Sequence, residues 1–451
     1  MQMQMADGAT TAEGSMARRQ TWMVAAGGLV LLLGAVWLAL LWFIPSDEDL
    51  AAHAAGELQA RLGVPVRLGA LHWRLLPVPA IVLEDVATDQ PQAITVKKLA
   101  AYPDLLALLQ RRVILDRVEL DGAVVPQLSL RVLDATSRGV PAEAVETVEA
   151  VAIPLARFVF RDLTWLSRHG VAVVYDGEID FDPGWRPRQA VLRRPGFTPA
   201  TDLTLTRQGQ EDRWATRINV GGGTAHGEVQ LQARADGRLV LAGQLQPSGV
   251  DVASAVAAFN RKPVIAGKAT GNTVLSAQGD SLVGLAQSLH TKTVFTMGAS
   301  TLLRFDLDRA VRSLGKEHAG QTPLDAVSGQ LDTQNTPRGM VTQFTGIKAS
   351  SGALSASGQA RLANRQIEAE FAVDLVDGIV GVPLVLSGPV DKVAVSVPKG
   401  AVAGALLGTA VLPGIGTAIG ARLGATLGRI FNSGPDRQPG TPAPATPGTA
   451  P

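Results

Sequence analysis

The chain has 451 residues, 41 Lys and Arg against 40 Asp and Glu, no cysteine, and few aromatics (11 Phe, 7 Trp, 2 Tyr). A net charge of +1 with no long basic cluster argues against a reader of nucleic-acid phosphates, which needs a concentrated positive field. Absence of cysteine excludes disulfide scaffolds, thiolate nucleophiles, thiolate zinc sites and iron–sulfur clusters, while 48 Gly and 27 Pro point to many turns.

Residues 1–21 read as a cytoplasmic tail. From Trp22 to Ile44 run 23 residues without a charge. As a helix rising 1.5 Å per residue they would reach roughly 35 Å, enough to cross a bilayer. The run closes on aromatics and Pro45 instead of a small-x-small cleavage site, so it reads as an uncleaved transmembrane helix. Arg18 and Arg19 precede it and the next basic residue is Arg61, which puts the N-terminus in the cytoplasm and most of the chain beyond the membrane. The twin arginine is not followed by a cofactor motif that would need folded export.

Ser46 with Asp49 resembles an N-cap, and Leu50, Ala54, Leu58 and Leu62 keep helical spacing until Gly63. Beyond it the period changes to two. Val64, Val66 and Leu68, then Ile81 and Leu83, then Ile94 and Val96 predict strands; a helical patch follows around Leu105 and Leu109, then Leu115, Val118, Leu120 and an Asp121-Gly122 turn.

In VQLQARADGRLVLAGQLQ (229–246) a three-residue loop with left-handed Gly237 pairs Ala233 with Leu239, Leu231 with Leu241 and Val229 with Gly243, one apolar face. Ile367, Ala369, Phe371, Val373 and Leu375 alternate with mostly acidic neighbours, and Val393, Val395 and Val397 repeat the period. Short helices are expected near Leu282, Leu285 and Leu289 and near Leu307, Val311 and Leu314, each too short to roof an extended sheet. A sandwich whose two sheets cover each other gives the same alternation.

The strings LGVPVRLGALHWRLLPVPAIVLEDV (62–86), LLALLQRRVILDRVELDG (105–122) and GKATGNTVLSAQGDSLVGLAQSLHTKTVFTMGASTLLRFDLDRAVRSLG (267–315), with TPLDAVSGQLDTQNTPRG and ALSASGQARLANRQIEAEFAV behind them, resemble the AsmA family of inner-membrane-anchored, periplasm-facing proteins. The middle, about 131 to 225, departs from that pattern. The resemblance implies a mainly β fold with short helices, in which an extended antiparallel sheet curls into an open groove, apolar within, related to bridge-like lipid transfer proteins. It implies a single-pass inner-membrane protein with its bulk in the periplasm, linked to phospholipid movement and outer-membrane assembly. No catalytic residue comes with it. The segments are then a first β region (45–130), a middle one (131–266) and a third (267–398). Val229, Leu231, Leu239, Leu241, Ile367, Phe371, Val373, Leu375, Val393 and Val395 are the candidate lining residues for acyl chains.

At 399–431 stands KGAVAGALLGTAVLPGIGTAIGARLGATLGRIF. Gly400, Gly404 and Gly408 are spaced by four; after Pro413 the spacing resumes at Gly416, Gly420, Gly424 and Gly428. Small-xxx-small rows let helix backbones approach closely, as in lipid, and predict a helical hairpin whose arms, about 13 and 18 residues, are short for a full span. Arg422 and Arg429 share a face roughly 150° from the second glycine row, placed for anionic headgroups. A tightly packed helix pair in an ordinary core gives the same pattern. The Gly414, Gly416, Gly420 spacing does not fit a dinucleotide fingerprint. Residues 432–451, rich in Pro, Gly, Thr and Ala, read as a disordered tail.

Six histidines (His53, His72, His169, His226, His290, His318) form no metal pattern, and neither GxSxG nor GxxxxGK occurs, so no metal, cofactor or catalytic residue is assigned. Asp180 and Asp182 stand at a strand end with nothing to distinguish them as a catalytic pair. Arg186, Arg188, Arg193 and Arg194 around Trp185 form a basic patch, by default an exposed loop. The sequence therefore predicts a non-enzymatic, membrane-anchored β-groove that binds phospholipid acyl chains. Outer-membrane or envelope-assembly proteins are possible partners, and nucleic acid is not expected. A scaffold for envelope protein assembly and, more weakly, a hydrolase of an envelope polymer are the alternatives.

Overall fold

The computed structural model describes, apart from short breaks, residues 62–130 and 154–397, with isolated helical positions from Ala51. The tail 1–21, the expected span 22–44, the hairpin 399–431 with its glycines and arginines, and the tail 432–451 lie outside the described residues. Among the described residues no helix is long and apolar enough to cross a membrane. The chain is mainly β with a few short helices, its strands forming large, unclosed, largely antiparallel sheets. It divides into two compact units, the first comprising Met1–Gly196 with Thr204–Arg207 and the second Phe197–Leu203 with Gln208–Pro451.

In the first unit, Gly63 ends the helical positions with φ +67° and donates its N–H to the Gln59 carbonyl at 2.8 Å. The strands are β1 (Val66–Arg67), β2 (Ala70–Arg74), β3 (Ala80–Thr88), β4 (Thr95–Pro103), β5 (Leu115–Pro126), β6 (Leu155–Leu166), β7 (Ala172–Asp182) and β8 (Arg186–Arg193), with helix α1 (Leu105–Leu109) between β4 and β5. β1 and β2 both pair with β3, and the ladder continues to β8. One pairing was not anticipated: β5 and β6 run parallel, Leu115 beside Leu155 through Pro126 beside Leu166. Parallel neighbours need a long crossover, which hydrophobic alternation does not reveal.

The expected Asp121-Gly122 turn is not a turn. Both residues lie inside β5, and Gly122 takes φ +64° within the strand without a register shift against β4; an added Cβ there would fall 2.5 Å from Lys97 Cδ. Asp85 on β3 (φ +52°) and Asp162 on β6 (φ +50°) adopt the same left-handed conformation, and Lys97 reaches the Asp162 carboxylate at 3.7 Å. Of these three positions, Asp162 is where the register shifts, between Phe160 and Leu163 against β7, as at a bulge.

In the second unit the strands are β10 (Arg213–Val220), β11 (Gly223–Ala233), β12 (Leu239–Ser248), β13 (Val250–Asp251), β14 (Ile265–Gly279), β15 (His290–Leu302), β16 (Thr322–Leu324), β17 (Ala326–Thr336), β18 (Gly339–Ser351), β19 (Leu354–Ala363), β20 (Gln366–Leu375), β21 (Ile379–Pro389) and β22 (Ala394–Ser396); β9 (Asp202–Arg207) straddles the unit boundary. The expected hairpin register is present: Ala233 opposes Leu239, Leu231 opposes Leu241 and Val229 opposes Gly243, with Gly237 at φ +78°. Arg234 N–H donates to the Arg238 carbonyl at 2.8 Å, closing the three-residue loop.

Three helices are inserted between strands: α2 (Val252–Ala258), α3 (Leu282–Ser288) and α4 (Leu307–Arg312). Each is started by a side-chain cap, Asp251 accepting from Ser254 N–H at 2.8 Å, Ser281 from Gly284 at 3.0 Å and Asp306 from Arg309 at 2.9 Å. The spacing of leucines anticipates α3 and α4. α2, mostly Ala and Val, has no periodic large side chain to announce it.

Short helices nevertheless roof part of the sheet, against expectation. Leu307 and Ala310 of α4 are buried with Val373 and Leu384 of the strands, and Phe305, Leu354, Val382 and Val395 pack around them. Val252 of α2 lies against a second cluster of Met297, Leu324 and Val327. α3 buries Leu285 and lies against β12, β14 and β17. Among the described residues the strands of each unit follow one another in a single hydrogen-bonded ladder and do not form the two separate sheets of the sandwich alternative.

Candidate functional site

Registers in the second unit line up side chains into rows across many strands. One row runs Thr216, Gly227, Leu245, Thr273, Thr293, Leu331, Phe344, Ala360, Ala369, Leu386, Val395 from β10 to β22. Its neighbour runs Trp214, Val229, Gly243, Leu275, Thr291, Thr333, Thr342, Leu362, Ile367, Gly388. At about 4.8 Å per strand the first row extends roughly 50 Å.

Period two puts the polar residues on the reverse face. There the matching row is Ala215, Glu228, Gln244, Val274, Lys292, Asp332, Gln343, Arg361, Glu368, Ser387. Arg361 and Glu368 approach to 3.9 Å, and His290 Nε2 is 2.8 Å from Asp332 Oδ1. A shallow recess of about 450 Å³ is lined by His226, Gln246, Thr270, Asn272, Val294 and Thr296, mostly on this polar side. No cluster of three metal-ligating side chains occurs among the described residues.

On the apolar face the helices cover the two margins of the strands and leave a strip between them. Leu245, Leu275, Leu331, Phe344, Leu362 and Ile367 are half-buried there. The strip is not purely aliphatic: Thr273, Thr291, Thr293, Thr333 and Thr342 form a stripe within it. Thr273 and Thr293 satisfy each other, hydroxyl to hydroxyl, at 2.8 Å. Phenylalanine rings lie down on it. An added Cβ on Gly358, opposite Phe371, would fall 2.5 Å from Phe371 Cδ1, so this ring occupies the place of the missing side chain.

The expected lining residues distribute unequally over this surface. Val229 and Ile367 fall in the open rows, and Leu231, Leu239 and Leu241 lie on the same face. Phe371 is half-buried over Gly358. Val373 is fully buried beneath α4, a core position and not an open one; Val395 packs against the same cluster, and Val393 precedes β22, half-buried. Leu375 pairs with Leu354 through its backbone, and its side chain lies outside the described residues. Leu245, Leu275, Leu331 and Phe344 were missed because Gly and Thr alternate with them on the same face and flatten the hydropathy signal.

The first unit repeats the two-faced design. Rows Trp73, Ile81, Ala101, Val118, Phe158, Ile179 and Leu71, Leu83, Leu99, Leu120, Phe160, Gly177, Leu192 form one face. The other carries charge together with a buried cluster of Ala80, Val82, Ala100 and Tyr102. Arg157 sits 2.6 Å from Glu178 and 3.6 Å from Asp180; its guanidinium is held above its ordinary range, first by the Glu178 hydrogen bond. Asp182 pairs with Arg207, while Asp180 shares Arg157 with Glu178. In the basic patch Arg193 is 3.7 Å from Glu178, and Arg194 donates to the Val174 carbonyl at 2.8 Å. Burial pushes the Tyr175 phenol up, against the Arg194 charge.

No curated protein and no solved structure matches the chain. Residues 399–438, the segment with the regular glycine spacing, match a glycine-zipper family model of the Omp type.

Proposed function

We propose that this protein is an inner-membrane-anchored carrier surface for phospholipid acyl chains, with its β units in the periplasm, serving lipid traffic or assembly at the outer membrane. The observation that carries the reading is the apolar face of the second unit, whose rows run from β10 to β22; Leu386 and Val395 at the β21–β22 end pack into the cluster under α4, while Leu245, Leu275, Leu331, Phe344 and Ile367 stay half-buried. Each CH₂ leaving a bilayer for water costs about 0.8 kcal/mol, so a sixteen-carbon chain faces roughly 12 kcal/mol. An unbroken row of Leu, Phe, Ala and Thr methyl groups offsets much of that at every position along the path. The resemblance to the AsmA family supports the same assignment. The uncharged run 22–44 supplies the anchor, and the glycine-zipper match at 399–438 supports association with the outer membrane or envelope.

The test is site-specific photo-crosslinking in cells. Photoreactive residues replacing Leu245, Leu331 or Phe344 should capture phospholipid, whereas those replacing Val274 or Lys292 on the reverse face should not. Capture of protein alone from the apolar positions would replace the carrier by a scaffold for envelope proteins. Equal capture of lipid from both faces would show only proximity to a membrane.

A further inference from the structure

The first unit presents a second apolar feature, unrelated to the rows. The β2–β3 connection, and the β4–β5 connection that contains α1, lie at the same end of the strands, because β2 and β4 run toward it and β3 and β5 away from it. There Leu106 is 72% exposed, Val113 55%, Leu105 50% and Val78 49%, and Trp73 adds its ring at 37%.

Their exposure is built in. Asp104 accepts from the N–H groups of Leu106 at 2.9 Å and Ala107 at 3.3 Å, and Ala107 is buried while Leu105 and Leu106 face outward. Arg112 N–H donates to the Ala107 carbonyl at 2.9 Å, and its side chain is exposed.

We propose that this end of the first unit is a membrane-contact rim: Val78, Leu105, Leu106 and Val113 enter the headgroup boundary of an anionic bilayer, with Trp73 at the interface and Arg112 on lipid phosphate. Aliphatic tips flanked by Arg and Trp are the composition of interfacial segments, in which apolar burial and attraction to anionic lipid act together. The occupant follows from tethering. Only 21 residues lie between Ile44 and Val66, a stretch that even fully extended reaches about 75 Å, so a bilayer is held at high effective concentration next to this unit. The proposal rests on reading 22–44 as an anchor. It goes beyond the carrier function, since the rim holds the unit against lipid and does not line the strip.

Because the chain has no cysteine, single labels are unambiguous. The full chain carrying Leu106→Cys, and separately Leu33→Cys, is labelled with an environment-sensitive fluorophore and reconstituted into phosphatidylethanolamine–phosphatidylglycerol vesicles. The Leu106 label should be quenched by interface-depth lipid quenchers at least about threefold more than a Ser276→Cys label on the reverse face of the second unit, and shielded from aqueous iodide. A Leu106 label that stays accessible to iodide overturns the rim, whatever the Leu33 label does. One shielded from iodide and from lipid quencher alike means a protein occupant and also overturns it. The Leu33 label decides the anchor separately: if it escapes lipid quenching while the Leu106 label is quenched, the rim stands and the anchor falls.

Discussion

At the scale of single residues, the sheet trades side chains across the ladder. Phe160 lies on Gly177, where a Cβ would come within 2.4 Å of its Cζ and 2.6 Å of the Val191 carbonyl oxygen. Gly177→Ala should therefore destabilise by about 1–3 kcal/mol, an overpacking cost. Part of that cost should disappear in a Phe160→Leu background, because the two residues share one space. Strictly additive losses in thermal unfolding would show that the backbone contact alone limits the site. Asp251 gives a residue-scale pH dependence. Burial pushes its carboxyl up, but hydrogen bonds from Ser254 and Gly267 and the nearby Lys268 outweigh that and hold it below its ordinary range. A lowered folded value means the stabilisation is complete above the unfolded range, near about pH 4, and is lost as pH falls through the folded value. Asp251→Ala should cost about 1 kcal/mol at neutral pH, with Asp251→Asn falling between Ala and wild type because it keeps the accepting oxygen without the charge. Amide hydrogen exchange over Val252–Ala258 reads this directly, and a gap between Ala and wild type that persists undiminished in acid would refute the charge assignment.

At the scale of elements, roofed and open parts of one face should respond differently to truncation. Leu384 is 1% exposed under α4, and Leu384→Ala should cost about 2–5 kcal/mol with loss of protection in α4. Leu331, half-buried in the strip, should cost clearly less when cut to Ala, yet its loss should lower lipid capture where Leu384→Ala does not. Equal stability losses would mean that the strip is a sealed core. Much of this was legible in the sequence. Gly237 fixed the register of its hairpin because only one loop length keeps Val229, Leu231, Leu239 and Leu241 on one face. The leucine spacing announced α3 and α4. What those helices do was not legible, since burial of Val373 beneath α4 depends on contacts between residues more than sixty positions apart. Gly122 was read as a turn because Asp-Gly is a hairpin signal, whereas the left-handed glycine sits inside a continuous strand. The strip itself was half legible: Ile367 and Val229 stood out against charged or amide neighbours, whereas Leu275 stands between Thr273 and Ala277 and looks unremarkable to any hydropathy measure.

At the scale of the whole chain, two sequence features flank the β units and ask for different surroundings. The run 22–44 is uniformly apolar and long enough to be held by lipid alone. The zipper segment is of another kind: its sequence carries two rows of glycines at a spacing of four, and Arg422 and Arg429 interrupt its second apolar stretch. A chain that carried lipid from one membrane toward another would need both, the first to remain attached and the second to reach the destination. Removing residues 399–438 should then leave the protein in the inner-membrane fraction, still crosslinking phospholipid from Leu331, while its association with outer-membrane fractions and its lipid-dependent envelope phenotype are lost. Replacing Gly416, Gly420 and Gly424 by Leu should do the same without shortening the chain, because larger side chains hold the two arms apart. If the deletion changed neither fractionation nor phenotype, the zipper would have no part in reaching a second membrane. If it abolished lipid capture at Leu331 as well, the strip would depend on the zipper for loading, and the order of events along the chain would run from the C-terminal end.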